Sequence, residues 1–327
     1  MLSDFFIRPS ESADIQPILA TFAHAFRDSR SKDVWQWIYH DNPDESRSMV
    51  CLIGDGKVAA HSGASFHRAV YEGEIVRIGQ CRDSFSHPKF RSAMKERIGL
   101  FAQTTQSLFA QYGAAEGVTF YYGFPSPKHL RLGSKQLNYR EGNNWRCLHY
   151  DTRKLLPIFG NMYGSLTAKS NFGIEFDRLW SSREKDMKLA VIHDSRFLSW
   201  RFHPRLKRNY WVWAFTPYLS TEIKGYVIFT QRGNKAMLLD LHFPAHPRAC
   251  LDFWVQVVEK LRWHDIDEIE AWLSFNHPDL AKLYELGFLQ CALPKAIRFC
   301  FRELDGGPDW ATLNEKFCFT MADSDLY

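Results

Sequence analysis

Two pieces of local wording occur twice in this chain at almost the same interval. Trp37-Ile-Tyr39 followed by Pro43 returns 163 residues later as Trp200-Arg-Phe202 followed by Pro204. Asp83 with His87-Pro88 returns as Asp240 with His246-Pro247, the two prolines 159 residues apart. A repeat of that period in a chain of 327 residues predicts two copies of one unit, each near the usual domain length of about 100–200 residues and each with its own core. Hydrophobic residues at 45% and charged residues at 24% supply such cores and exclude a disordered, collagen-like or coiled-coil chain.

Residue spacing predicts α/β units. A strand at 5–8 precedes a helix over 13–26, where Ile15, Ile18, Leu19, Phe22 and Phe26 recur at helical intervals. Strands follow at 49–53, 57–60, 74–78 and 79–85, with a hairpin turn at Tyr71-Glu-Gly73. A loop at 86–98 leads to a helix over 99–112, and a strand at 118–124 is halted by Pro125-Ser-Pro127. In the second half, strands at 210–215, 225–230 and 236–242 precede a helix at 250–261, a strand at 269–273 and a helix at 279–286 capped by Gly287. The stretch 151–194 has no clean period and reads as a connector. The expected division is 1–150, connector 151–194, second domain 195–305 and C-terminal tail 306–327.

Charge excludes several partners. The net charge of +4, from 41 Lys+Arg against 37 Asp+Glu, lacks the dense basic footprint of a nucleic-acid binder. No run approaches the roughly 18 apolar residues that span a bilayer. Asp4 stands where a signal peptide carries positive charge, so the expected setting is the cytoplasm without membrane. Seven scattered cysteines without a C-x-x-C pair read as reduced thiols, and no metal is expected. His277-Pro-Asp279 and His264-Asp-Ile-Asp267 read as surface or capping groups. G-x-S-x-G, P-loop, G-x-G-x-x-G and H-E-x-x-H motifs are missing. Aromatic content of 15% fills cores and also suits a pocket for a long, partly apolar ligand.

The loop after the 79–85 strand carries the chemistry. A strand that feeds a loop and then a helix N-terminus presents unpaired N–H groups to an anion. Lys89, Arg91, Lys95 and Arg97 add positive charge there, and Gly99 opens the helix. The matching loop of the second half, His246-Pro-Arg-Ala-Cys-Leu251, holds one Lys/Arg residue and no glycine.

Ile7-Arg8-Pro9, Trp37 through Pro43, Gln80 through Arg91 with Gly99-Leu-Phe101, and Tyr122-Gly-Phe-Pro125 come in a telling order. With Asn276 and Leu283-Tyr-Glu-Leu-Gly-Phe288, this order resembles the GNAT superfamily of acyl-CoA-dependent N-acetyltransferases, in its tandem two-domain form. The resemblance implies two GNAT-like domains, each a mixed central sheet flanked by helices. It implies acetyl-CoA as co-substrate and transfer of an acyl group to a primary amine of a small molecule or peptide. Coenzyme A would lie on the first domain, held by Ser84, Phe85, Ser86, Lys89, Arg91, Lys95, Arg97 and Gly99, with the Phe85 or Ser86 amide as oxyanion donor. The family's Arg/Gln-x-x-Gly-x-Gly/Ala run is altered here, because Arg91 is followed by Ser-Ala-Met-Lys. Transfer to an amine needs a proton acceptor and a thiolate acid. Asp83 or His87 fits the first role; Tyr121 and Tyr122 are candidates for the second or for the pocket wall, with Tyr122 taken as the acid, and since alternation points them to opposite faces at least one packs in the core. Tyr284 matches the family's acid tyrosine but sits in the other repeat. A GNAT-like binding or scaffold protein without catalysis, and an aminoacyl-transfer enzyme using charged tRNA, are the alternatives. The modest net charge opposes the latter.

Overall fold

The computed structural model describes residues 5–54, 56–90, 98–154, 162–206 and 208–326. The chain divides into two units. The first comprises residues up to Ala69, Ile75–Asn143 and Lys295–Asn314; the second comprises Val70–Glu74, Asn144–Pro294 and Glu315 onward.

The first half runs β1 (Phe5–Pro9), α1 (Ile15–Phe26), α2 (Lys32–Tyr39), β2 (Ser46–Ile53), β3 (Lys57–Tyr71), β4 (Glu74–Ser86), α3 (Leu100–Tyr112), β5 (Val118–Gly123), α4 (Pro127–Gln136), β6 (Arg140–Gly142) and β7 (Trp145–Asp151). The second repeats that order as β8 (Gly164–Ala168), α5 (Ile174–Arg183), α6 (Ser195–Arg201), β10 (Tyr210–Pro217), β11 (Gly225–Arg232), β12 (Lys235–His242), α7 (Pro247–Trp263), β13 (Glu268–Ser274), α8 (Leu280–Glu285), β14 (Leu289–Cys291) and β15 (Phe299–Glu303). One short strand, β9 (Leu189–Val191), is inserted between α5 and α6, and α9 (Trp310–Lys316) and β16 (Phe317–Cys318) follow.

The sheets repeat as well. The first is ordered β1-β2-β3-β4-β5-β15-β6 and the second β8-β10-β11-β12-β13-β7-β14. Element for element these orders match, with β7 and β15 exchanged between the units. Along these paths β4 lies parallel to β5 and β12 parallel to β13, and the exchanged strand lies antiparallel beside each pair; β9 and β16, themselves parallel, also join the first sheet off this path. The helix between the two parallel strands supplies the crossover that such a pair requires.

Alternation on the strands builds the cores. In the first unit Ile18, Phe22, Trp35, Val50, Val58 and Phe85 pack between α1, α2 and one face of the sheet. Met49, Phe66, Phe101, Leu108, Phe109, Tyr121, Leu130 and Tyr139 pack between the other face and α3 and α4. In the second unit α7 lays Phe253, Trp254, Val257 and Val258 on Tyr150, Phe215, Phe229 and Ile269.

The expected α/β class with two mixed, helix-flanked sheets is therefore observed. The boundaries require correction. Residues 151–194, expected as a connector, hold β8, α5 and β9 and belong to the second unit. Charge interrupts the pattern of α5, whose buried face is Phe176, Leu179 and the polar Arg183. Residues 145–150, expected in the first domain, form β7 of the second sheet, and residues 295–305 lie in the first unit with β15. The expected tail 306–327 is divided between the units after Asn314.

Candidate functional site

The parallel ladder between β4 and β5 ends at Gln80–Tyr122, although β4 continues through Ser86. Among the described residues no other strand takes that edge, β4 neighbouring β3 and β5. β5 itself ends at Gly123, one residue past that rung, so β4 runs on without β5 beside it and the sheet has a notch there, bordered by main-chain N–H and C=O groups of β4. Ser84, Phe85 and Ser86 lie on β4 beyond the last rung.

Asp83 marks the start of that segment. Its φ of 49° places a non-glycine residue in the left-handed region in mid-strand, a conformation aspartate tolerates better than most residues. The local bend sends the side chains of Arg82 and Asp83 towards groups of the α2 region. The Arg82 guanidinium donates to Gln80 Oε1 at 3.1 and 2.9 Å and lies over the Trp37 ring at 5.6 Å. Asp83 Oδ1 pairs with Arg30, and Oδ2 accepts from the Tyr39 hydroxyl at 3.2 Å. Gly63 permits this last contact, because a Cβ there would collide with the Tyr39 hydroxyl. Burial, then Asp83, raises the Tyr39 pKa well above the usual phenol value, so the ring keeps its proton.

His61 on β3 completes the cluster. Its Nδ1–H donates to the Asp83 carbonyl at 2.8 Å, and the ring stacks on Phe85 at 5.3 Å. That bond fixes the tautomer, leaving the lone pair on Nε2. Burial lowers the His61 pKa, and Nε2 is buried without a hydrogen-bond partner among the described residues.

The remaining expected residues are distributed around this segment. His87 accepts the Lys89 amide at 3.1 Å through Nδ1 and thereby closes the short turn over Pro88–Phe90, where Lys89 is exposed. Arg91, Lys95 and Arg97 lie outside the described residues. Gly99 is the N-cap of α3 and has no side chain with which to satisfy the first amides of the helix. Tyr122 is buried, edge-on to Phe124. Tyr121 faces the α3 core and donates to the Tyr112 carbonyl at 2.5 Å. Tyr284, 40% exposed, stands on α8 of the second unit.

The same notch exists in the second unit but is filled. The β12–β13 ladder ends at Leu238–Ala271. Residues 317–324 occupy the space beyond: Thr320 bridges to Leu273, the Ser274 amide donates to the Phe319 carbonyl at 3.0 Å, and Thr320 Oγ1 donates to Asp240 at 3.2 Å. His193 lies between two carboxylates, Nδ1 to Asp240 and Nε2 to Asp323, both at 3.0 Å. Burial opposes its charge, but the two aspartates outweigh burial and raise its pKa to about 10. Arg201 anchors the same segment by donating to the carbonyls of Ala322 and Ser324 at 2.7 and 2.9 Å. Only about 20 Å³ remains open, room for about one water. The helix beyond this notch is also closed to anions. His246 Nδ1 accepts from the Ala249 amide at 3.4 Å, and Pro247 at the first position of α7 has no N–H.

Arg30 and His193 stand in matching places, each two residues before the second helix of its repeat, and each pairs with the repeated aspartate of the fourth strand. They are 163 residues apart, the interval of the tryptophan repeat. That shared interval was the available signal for Arg30, which the motif reading overlooked together with Tyr39, His61 and Arg82. For His277 and Asp279 the capping expectation holds and the surface one does not. Both are buried, His277 Nδ1 capping the Asp279 amide at 3.2 Å while Asp279 pairs with Arg183 at 2.6 Å. Among the described residues, no group of three or more His, Cys, Asp or Glu side chains is placed to hold a metal ion, and no helix is long and apolar enough to cross a membrane.

The structure is similar to a GCN5-related N-acetyltransferase from Anabaena variabilis, with TM-score 0.70 and 14% identity over 91% of this chain and 72% of that one. A GCN5-related N-acetyltransferase from Kribbella flavida gives TM-score 0.67 and 15% identity over 93% and 72%. Saccharomyces cerevisiae N-myristoyltransferase with bound myristoyl-CoA gives 0.61 and 11% over 94% and 81%. No family model and no curated protein sequence matches the chain. At these identities the likeness establishes the fold, a tandem GNAT-like architecture.

Proposed function

We propose that this protein is an acyl-CoA-dependent N-acyltransferase that binds one acyl-CoA on its first unit and transfers the acyl group to a primary amine of a small molecule or peptide. The observation that carries this reading is the contrast between the two notches. The β4–β5 ladder ends with no third strand of the described residues on that edge, and the chain goes on to a helix whose N-cap is glycine, whereas the β12–β13 notch is filled by residues 317–324 and its helix is capped.

In this reading the main-chain groups of Ser84, Phe85 and Ser86 pair with the pantetheine amides as an added strand would, and the Phe85 or Ser86 amide receives the oxyanion. The α3 N-terminus, with Lys89, Arg91, Lys95 and Arg97, takes the pyrophosphate. Asp83 accepts the amine proton directly or through one water. His87 is the second candidate for that role, and Tyr122 is the candidate acid for the departing thiolate. Acetyl-CoA is the first donor to test, and longer acyl-CoA esters are the second.

The test is a continuous assay of free thiol release from acetyl-, octanoyl- and myristoyl-CoA in the presence of amine and peptide panels. The reading requires amine-dependent release with a stable amide product. Saturable acyl-CoA binding with no transfer to any amine would favour a binding protein of the same fold.

A further inference from the structure

Cys147 and Cys291 lie directly opposite each other on the antiparallel pair β7 and β14, with Sγ atoms 2.8 Å apart. Both are free thiols. Directly opposed residues of antiparallel strands have Cα separations of about 4.5–5.5 Å, inside the range of about 4.4–6.8 Å that a disulfide bridges. Neither residue has a part in the proposed transfer. Their places in the chain give the pair a consequence, because the chain enters the long segment of the second unit at Asn144 and leaves it at Pro294. A bond between residues 147 and 291 would join the entry to the exit.

We propose that Cys147 and Cys291 are an oxidation site at which a peroxide drives formation of a reversible disulfide that clamps β14 to β7. Cys291 is partly exposed and Cys147 is 2% exposed, so peroxide meets Cys291 first. The Cys291 sulfur attacks one peroxide oxygen, the O–O bond breaks, and the other oxygen leaves as water with the thiol proton, giving a sulfenic acid. The Cys147 sulfur then attacks the Cys291 sulfur, the S–O bond breaks, and the hydroxyl leaves as water with the Cys147 proton. Two electrons pass from the two sulfurs to the peroxide.

The full chain is treated with a small excess of hydrogen peroxide, and non-reduced digests are read by mass spectrometry. The expected product is a peptide pair linking residues 147 and 291, two hydrogens lighter than its parts and separated again by dithiothreitol. The titratable thiols fall by two from seven. In C147S the reaction stops at the Cys291 sulfenic acid, which dimedone traps, whereas wild type yields little adduct. Equal dimedone labelling of Cys291 in both proteins, or a linkage elsewhere, overturns the proposal. Should C147S fold poorly, C291S supplies the second arm: oxidised wild type must unfold at a higher temperature than reduced wild type, and peroxide must leave the midpoint of C291S unraised. A wild-type midpoint that does not rise on oxidation overturns the clamp.

Discussion

His61 donates its Nδ1–H to the main-chain carbonyl of Asp83, 2.8 Å away, at the residue where β4 turns through a positive φ. The bond pins the bend, and the bend presents the Asp83 carboxylate to Arg30 and Tyr39. A side-chain cluster is thereby coupled to the main-chain edge on which acyl-CoA is proposed to lie.

If Asp83 is the proton acceptor, Asp83→Asn should lower turnover by about 10²–10⁴ while acyl-CoA affinity is nearly kept. Loss of the partly buried ion pair should also cost about 1–3 kcal/mol of stability. Arg30→Gln removes the same pair but leaves the carboxylate, so its turnover should stay well above that of Asp83→Asn. Steady-state kinetics on both variants decide it, and equal losses would make Asp83 a positioning residue. Tyr284→Phe, altered on the exposed α8 position, should remain within a few fold of wild type.

The sequence disclosed the repeat, the long amphipathic helices and the β4–loop–α3 passage, because hydrophobic period and turn chemistry are local signals. It did not disclose the exchange of β7 and β15. Trp145–Asp151 and Phe299–Glu303 have the alternation and aromatic content of strands, and nothing in that pattern states which sheet a strand joins; pairing is decided by partners far away in the chain. The filled notch was hidden for a related reason. Thr320 and Asp323 are polar residues of the expected tail, and they are buried where Asp240 and His193 meet them.

Gly79, one residue before the last β4–β5 rung, faces the Tyr121 ring so closely that a Cβ would overlap it. Gly79→Ala should cost about 1–3 kcal/mol through overpacking. Gly123→Ala meets only ordinary contacts, the nearest Cys81 Cβ at 3.5 Å, and is expected to be near neutral. Urea unfolding of both variants compares them, and a Gly79→Ala protein as stable as wild type would contradict this packing.

Stability should depend on pH in both directions. His193, raised to about 10 in the folded protein from an ordinary 6.5, binds more proton folded than unfolded. Its contribution is complete below about pH 6.5 and fades as pH rises through about 10. His242 and His277 are lowered to about 3 by burial and then by Arg183. Their contributions are present above about pH 6.5 and fade as pH falls towards 3. Asp240, Asp279, Asp323, Arg183 and Lys282 surround these rings. Thermal midpoints from pH 4 to 10 should therefore peak near pH 6–7. His193→Gln should flatten the alkaline side, and an unchanged alkaline slope in that variant would assign the loss to other groups.

One of the two repeated notches is proposed to bind acyl-CoA, while the other is occupied by the chain itself. Isothermal calorimetry with acetyl-CoA tests it most directly, on wild type, on Arg91→Ala/Arg97→Ala and on His246→Ala. One site per chain is expected, with an affinity at least about tenfold weaker in the double variant from the lost phosphate contacts, and unchanged binding in His246→Ala. Two equivalent sites per chain, or binding that is lost in His246→Ala and kept in the double variant, would contradict it.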